Sequence, residues 1–349
     1  MKKVIILSPS NGVGGVETFC HTLKSCLDKN GFDAEILAAD RNKVPRFIRL
    51  VGLGAPWSGF LVGNLAKKRH YDFLVTNGLL GWNVTFGNIL NIQHGTFAAS
   101  AERIDRGVNF LKWFMKRFVW GYFEGKAAKR ASFVVAVSED TRNSVERYYK
   151  VKVNCVIENA VDLDLFKSVS KTEARKSLNL PIDKKIVLFV GRMEYAKGQD
   201  IIEKFMKGSV EKDVMFVLVL GNSWSSNKEN VRVFSNVPND KLPPFYSAAD
   251  IFIFPSRHEG CAIAIIEAMS CGLPFVISEV GHALDIKKEK ALGKYVIPLG
   301  NEPIFLKTVD EVMSLSGEEL KKVSDAERNY VEKNNSLNEF CGSYIKIFI

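Results

Sequence analysis

The chain has 349 residues, room for two domains that each bury their own core. Its 46% hydrophobic and 25% charged residues fit an ordinary α/β protein and exclude a disordered or fibrous chain. No apolar run approaches the roughly 20 residues that a membrane span requires.

Net charge is +9, and it is uneven. Residues 1–165 hold 23 Lys and Arg against 15 Asp and Glu, while residues 166–349 hold 25 against 24. A basic first half calls for an anionic partner there: nucleic acid, an acidic membrane or a phosphorylated acceptor. The six cysteines (20, 26, 155, 261, 271 and 341) contain no C-x-x-C pair. That spacing predicts reduced thiols in a cytoplasmic protein, with neither a disulfide frame nor a zinc site.

The start, MKKVIILSPSNG, is too short in its apolar part for a signal peptide and reads as a first strand over Val4–Leu7. Ser8–Gly15 is a glycine-rich turn, and Val16–Leu27 the helix after it. The third glycine of a G-x-G-x-x-G dinucleotide fingerprint would fall at Glu17, so that fingerprint fails. Asp40, after strand Ala34–Ala39, keeps a nicotinamide-dependent oxidoreductase as a rival. Residues 41–70 read as loop plus helix. Tyr71–Thr76 and Asn88–Gln93 are further strands, and His94 follows the second. Arg103–Arg130 interleaves eight cations with seven aromatic residues. Its first part, Arg103–Arg117, suits an anionic membrane surface. Phe118–Ala128 reads as a packing helix before strand Phe133–Val137. No nucleic-acid-binding motif is present. Asn154–Ile157 is one more strand. Lys167–Lys184 is polar and charged, a helix plus linker.

The second half repeats the pattern. Strand Ile186–Val190 is followed by Gly191-Arg192-Met193-Glu194-Tyr195-Ala196-Lys197-Gly198 and a helix from about Gln199. Arg192 and Lys197 therefore stand near a helix N-terminus, where two cations suit a diphosphate leaving group. Val214–Leu220 and Val231–Phe234 are strands. Then comes Tyr246–His282: strand Ile251–Phe254, a polar loop Arg257-His258-Glu259-Gly260, a helix over Cys261–Ser270, a Gly272-Leu273-Pro274 stop and strand Phe275–Ser278. Ligands of such folds sit at strand carboxyl ends against helix N-termini. A phosphate there, flanked by the carboxylates of Glu259 and Glu267 as hydroxyl acceptors, describes a nucleotide sugar. Spacing alone favours the plainer reading, a solvated Glu267 and a Glu259 that serves only the helix dipole, since two Glu eight apart are common. Tyr295–Pro298 is a last strand, and Ser336–Ile349 a last helix.

The segment E-G-x5-I-E-A-M-x2-G-x-P resembles the E-x7-E signature of the retaining glycosyltransferases with the GT-B fold, the group 1 type of bacterial surface-polysaccharide and lipopolysaccharide synthesis. The likeness runs in order through most of the chain. Gly14-Gly15-Val16-Glu17 resembles the family's first glycine turn, Gln93-His94-Gly95 its HG loop, and Val137-Ser138-Glu139 its VSE strand end. Residues 156–162 (VIENAVD) resemble its linker motif, and Val190-Gly191-Arg192 with Lys197-Gly198 its GR…KG loop. Cys261-Ala262 departs from the usual Phe-Gly, and His282-Ala283 from a Gly-rich pair.

The resemblance implies two Rossmann-like doubly wound domains facing across a cleft. These are an acceptor-binding domain over 1–165, a nucleotide-sugar domain over 166–335, and a C-terminal helix over 336–349 returning to the first. It implies transfer of a hexose or N-acetylhexosamine from a UDP- or GDP-sugar to a saccharide or lipid-linked acceptor, with retention and without metal. Asp162-Leu163-Asp164 lies inside the linker signature and is not read as a metal motif. Glu259, His94, Arg192 and Lys197 would be catalytic. The donor would contact Gly14, Gly15, Gly191, Arg192, Lys197, Glu259, Gly260, Cys261, Ala262, Ile263 and Glu267. The setting would be cytoplasmic, on the inner membrane face, with Arg103–Arg117 against anionic lipid. A non-catalytic adaptor using the basic face is the second rival.

Overall fold

A computed structural model of the full chain describes residues 1–12, 14–208 and 213–349. The chain divides into two compact units. One comprises Met1–Asn159, His258–Cys261 and Asn338–Ile349; the other comprises Ala160–Arg257 and Ala262–Leu337.

The first unit runs β1 (Lys3–Ser8), α1 (Gly15–Lys29), β2 (Asp33–Ala38), α2 (Arg46–Leu50), α3 (Gly54–Ala66), β3 (Phe73–Asn77), β4 (Asn88–Gln93), α4 (Phe97–Ser100), α5 (Phe110–Phe114), α6 (Gly121–Arg130), β5 (Phe133–Ala136), α7 (Glu139–Tyr149) and β6 (Cys155–Val156). The strands form one parallel sheet in the order β2-β1-β3-β4-β5-β6. Val4–Leu7 and Leu74–Val75 are fully buried, as expected of parallel strands covered on both faces.

The second unit runs α8 (Lys171–Ser177), β7 (Lys185–Gly191), α9 (Gln199–Gly208), β8 (Val214–Leu220), β9 (Val231–Ser235), α10 (Pro243–Ala248), β10 (Ile251–Phe254), α11 (Ile263–Ser270), β11 (Phe275–Ser278), α12 (Ala283–Ile286), β12 (Val296–Ile297), α13 (Glu302–Met313) and α14 (Gly317–Asn334). Its sheet has the order β12-β11-β10-β7-β8-β9, all parallel. This is the dinucleotide-fold order, and it changes direction between β7 and β10. α15 (Leu337–Phe348) closes the chain, and most of it belongs to the first unit.

Four strands, Asn88–Gln93, Val214–Leu220, Ile251–Phe254 and Phe275–Ser278, have the predicted bounds. Three readings are corrected. The helix expected from Cys261 starts at Ile263, because the preceding residues turn to pack with the first unit. The stretch read as one packing helix from Phe118 is π-helical over Met115–Trp120 before α6. Cys26 on α1 and Cys341 on α15 are paired as a disulfide, their Cα atoms 5.5 Å apart. Tertiary packing joins these thiols across 315 residues, which cysteine spacing cannot foresee. No helix among the described residues is long and apolar enough to cross a membrane.

Candidate active site

In the first unit, four motifs distant in sequence meet. The carboxyl end of β4 delivers Gln93-His94-Gly95, and Gly95 adopts φ +112°, a conformation that favours glycine. A Cβ placed at Gly260 would lie 2.4 Å from the His94 carbonyl oxygen and 2.9 Å from Val137. A Cβ at Gly95 would lie 3.1 Å from the His258 imidazole. The backbone around Glu259 is thus pressed onto the His94 loop. Asn159, from the linker motif, holds the next residue: its Nδ2 donates to the Cys261 carbonyl at 2.7 Å. Glu259 itself is half-buried.

The His94 imidazole is flanked by Asn77 at the end of β3, with Nε2 to Oδ1 at 2.8 Å, and by the edge-on Phe19 ring at 4.7 Å. Burial lowers the His94 pKa to about 4, so the ring is neutral at pH 7. Behind this loop, the Glu124 carboxylate of α6 accepts from the Phe97 amide at 2.8 Å and from the Tyr149 hydroxyl. Glu124 is 3% exposed, and burial raises its pKa to about 7. Sequence reading missed Asn77 and Glu124. Neither lies in a spaced motif, and only the fold brings them beneath His94 and its loop.

The glycine turn after β1 is less hospitable to phosphate than its composition implies. Gly14 caps α1, but the Glu17 carboxylate sits over it, 2.5 Å from where a Cβ would stand. Ser10 Oγ donates to Glu17 at 2.5 Å. Gly15 stands open beside it. A carboxylate already at the helix N-terminus suits a hydroxyl-bearing group there better than a diphosphate. Val13 of this turn lies outside the described residues.

In the second unit, the β7 and β10 loops leave adjacent parallel strands at the point where strand order reverses. They are fastened together. Arg257 donates to both Asp200 oxygens at 2.8 and 2.7 Å and to the Tyr195 carbonyl at 2.6 Å, with its guanidinium stacked 3.9 Å from the Tyr195 ring. A Cβ on Gly198 (φ +81°) would lie 2.3 Å from the Pro255 carbonyl oxygen. This junction places Gly191, Arg192 and Lys197 on one loop beside the other loop's path to α11. Arg192 is exposed and pairs with Glu194 at 2.9 Å, and the Lys197 ammonium stands 5.5 Å from the Phe254 ring centre.

Glu267, in the second turn of α11, is 3% exposed. Its Oε1 accepts from Asn239 Nδ2 at 2.7 Å and its Oε2 from the Tyr246 hydroxyl at 2.6 Å. Burial raises its pKa, which the two hydrogen bonds oppose. A carboxylate has about four lone-pair sites, so two stay available for further donors. The departure at His282 also has a physical role: its Nδ1 accepts from the Ala262 amide at 3.3 Å, capping α11, which no side chain caps at Ala262 itself. That amide is committed inside the protein, whereas Ile263 opens the helix.

Comparison with known proteins bears on the fold and family. Residues 170–330 match the family model "Glycosyl transferases group 1", and residues 13–165 match "Glycosyltransferase Family 4". An uncharacterized glycosyltransferase of Methanocaldococcus jannaschii is 24% identical over 93% of this chain and 92% of its own. Sucrose-phosphate synthase of Thermosynechococcus elongatus superposes with a TM-score of 0.83 at 18% identity, covering 100% of this chain and 98% of that one. HepE of Anabaena, solved in complex with UDP-glucose, does so with a TM-score of 0.75 at 16% identity, covering 100% and 99%. At such identities the structural likeness shows the fold. The two matched models, which between them take in most of the chain, and the two parallel six-stranded sheets identify the chain as a glycosyltransferase of the GT-B fold.

Proposed function

We propose that the chain transfers a hexose or N-acetylhexosamine from a UDP- or GDP-sugar to a saccharide or lipid-linked saccharide, with retention of anomeric configuration, in the synthesis of a surface polysaccharide or lipopolysaccharide. The observation that carries this reading is the fastened pair of loops at the β7–β10 switch point. One loop bears Arg192 and Lys197, and the other runs into α11 with Ile263 at its N-terminus and Glu267 within it. The UDP-glucose held by the structurally similar HepE supports a nucleotide-sugar donor.

In this reading Arg192 and Lys197 neutralise the diphosphate as the glycosidic bond breaks, with no metal required. Arg192 exchanges Glu194 for the diphosphate, a cheap exchange because the ion pair is exposed. Glu267 accepts the ribose hydroxyls on the lone pairs that Asn239 and Tyr246 leave open. Glu259 and His94 orient the donor sugar, and Gly191, Gly260 and Cys261 bring main chain close to it. Gly14 and Gly15 contact the donor or the acceptor. The leaving phosphate assists a front-face displacement.

The chain works at the inner face of the cytoplasmic membrane, but Arg103–Arg117 meets it differently from the sequence reading. All five cations of that stretch are ion-paired: Arg103 to Asp140, Arg106 and Arg117 to Glu102, and Lys112 and Lys116 to Asp105. Beside the Arg106 and Lys112 side chains, 74% and 55% exposed within their ion pairs, the segment exposes large apolar groups, with Phe110 74%, Leu111 70% and Phe114 43% exposed. Membrane contact is therefore by insertion of these side chains more than by charge.

A thermal-shift panel of UDP, GDP, ADP, NADH and sugar conjugates, without metal, tests the donor. A ligand at 100 times its Kd stabilises by about 2.7 kcal/mol. One nucleoside diphosphate should shift the melt, and more so with its sugar attached. A shift with NADH alone would sink the proposal.

A further inference from the structure

The hydrogen bonds of Asn77 can be assigned without seeing hydrogens. Its Nδ2 lies 2.7 Å from the Leu7 carbonyl oxygen, which can only accept, and 3.3 Å from the Cys20 sulfur. Rotating the amide by half a turn would set two oxygens face to face at that distance in a buried site. Asn77 is 5% exposed, so no water would relieve the repulsion. The amide nitrogen therefore faces Leu7, and Oδ1 faces His94. Since Oδ1 can only accept, His94 Nε2 must carry the hydrogen at 2.8 Å.

A neutral imidazole with hydrogen on Nε2 has a lone pair on Nδ1. Among the described residues, His94 makes only the one hydrogen bond to Asn77. We infer that Asn77 is a positioning residue: it fixes the Nε2–H tautomer of His94 and leaves Nδ1 to accept a hydrogen bond from a hydroxyl of the donor sugar. This rests on the proposed role of His94 at the donor and deepens it. The chain Leu7 carbonyl, Asn77 amide, His94 ring links the end of β1, through β3, to the end of β4, three consecutive neighbours in the sheet. The tautomer is thereby set by the sheet itself. An imidazole in this form acts on the donor as a hydrogen-bond acceptor; it is not an acid.

The test uses the full chain with 15N-labelled histidine and a two-bond proton–nitrogen correlation spectrum, in which the two tautomers give different patterns. The chain has 5 histidines, and His94 is identified as the signal lost in His94→Gln. The native protein at pH 7 should show His94 neutral with hydrogen on Nε2. In Asn77→Asp the carboxylate keeps an acceptor but draws a proton onto the ring. His94 should then show both nitrogens protonated near neutral pH, and kcat/KM should fall on the order of tenfold, the worth of about one hydrogen bond. Hydrogen on Nδ1 in the native protein, with His94→Gln inactive, would overturn the role of Asn77 while leaving the donor contact standing. Native turnover by His94→Gln would overturn the donor contact itself. If Asn77→Asp does not fold, the native spectrum still decides the tautomer.

Discussion

The Cα of Gly260 faces the main-chain carbonyl of His94 so closely that a Cβ would stand 2.4 Å from its oxygen. Two loops separated by more than 160 residues in sequence are thus held by a contact that only glycine permits. Gly260→Ala should displace the Glu259 loop, since the obstacle is backbone and cannot rotate away. Overpacking of this kind costs about 1–3 kcal/mol. We expect a lowered melting temperature and turnover reduced by more than tenfold. Native values for both would show that the contact is slack.

Glu259 is half-buried beside that contact. Glu259→Ala should remove most turnover while leaving the melting temperature within the spread of surface substitutions, about ±0.5 kcal/mol. Initial rates with a saturating donor, together with a melt, separate the two quantities. Near-normal transfer would sink its assignment to the donor sugar.

Arg257 fastens the loop that bears Arg192 and Lys197. Arg257→Ala should raise the KM for donor and weaken the thermal shift given by the nucleoside diphosphate. The fold should lose little, because Asp200 is 49% exposed at the side chain and such pairs are worth about 0–1 kcal/mol. Arg257→Lys should rescue only in part, lacking the planar fork that meets both Asp200 oxygens. An unchanged KM would mean the loop holds its shape unaided.

Two buried groups give opposing pH dependences. Glu124 has its pKa raised from 4.5 to about 7, so its contribution to stability is fully present below pH 4.5 and is lost as pH rises through 7. His94 has its pKa lowered from 6.5 to about 4; the unfolded chain then binds the extra proton, and stability is lost as pH falls from 6.5 through 4. Each effect is on the order of 3 kcal/mol and the windows overlap, so the native protein should show a nearly flat profile from these two groups. Glu124→Gln keeps an acceptor for Phe97 and Tyr149 and removes one slope. Its stability, from urea melts across pH 4 to 7, should rise with pH. A flat profile in the variant would refute the assignment.

Exposed Phe110, Leu111 and Phe114 predict a membrane contact that resists salt. Replacing all three by Ser should abolish sedimentation with vesicles of anionic phospholipid, whereas 0.5 M salt should weaken it only mildly. Full loss in salt would restore the purely electrostatic reading.

Much of the fold was legible because buried parallel strands are continuous apolar runs. Val214–Leu220 and Ile251–Phe254 could be bounded to the residue, as neighbours in sequence carry the signal. The site was legible as motifs: Arg192 and Lys197 near a helix start, Glu259 before one, Glu267 within it. What each motif touches was not. Glu267 reads as a carboxylate on a helix whether it is solvated or, as here, held by Asn239 and Tyr246.

The sequence by itself determined the two α/β halves, the strand-end positions of the polar residues and the glycines that mark tight turns. These depend on local periodicity and backbone sterics. Tertiary structure alone decided which of these residues meet. It placed Gly260 on the His94 loop, Asn77 beneath the imidazole, Arg257 across to Asp200 and Cys26 beside Cys341. It also paired the cations of Arg103–Arg117 with Glu102, Asp105 and Asp140, covering Arg103, Lys116 and Arg117 most, against the expectation from composition. The physical reason is that hydrogen bonds and ion pairs act over about 3 Å of space, and chain closure brings such groups together with no trace in their spacing along the sequence.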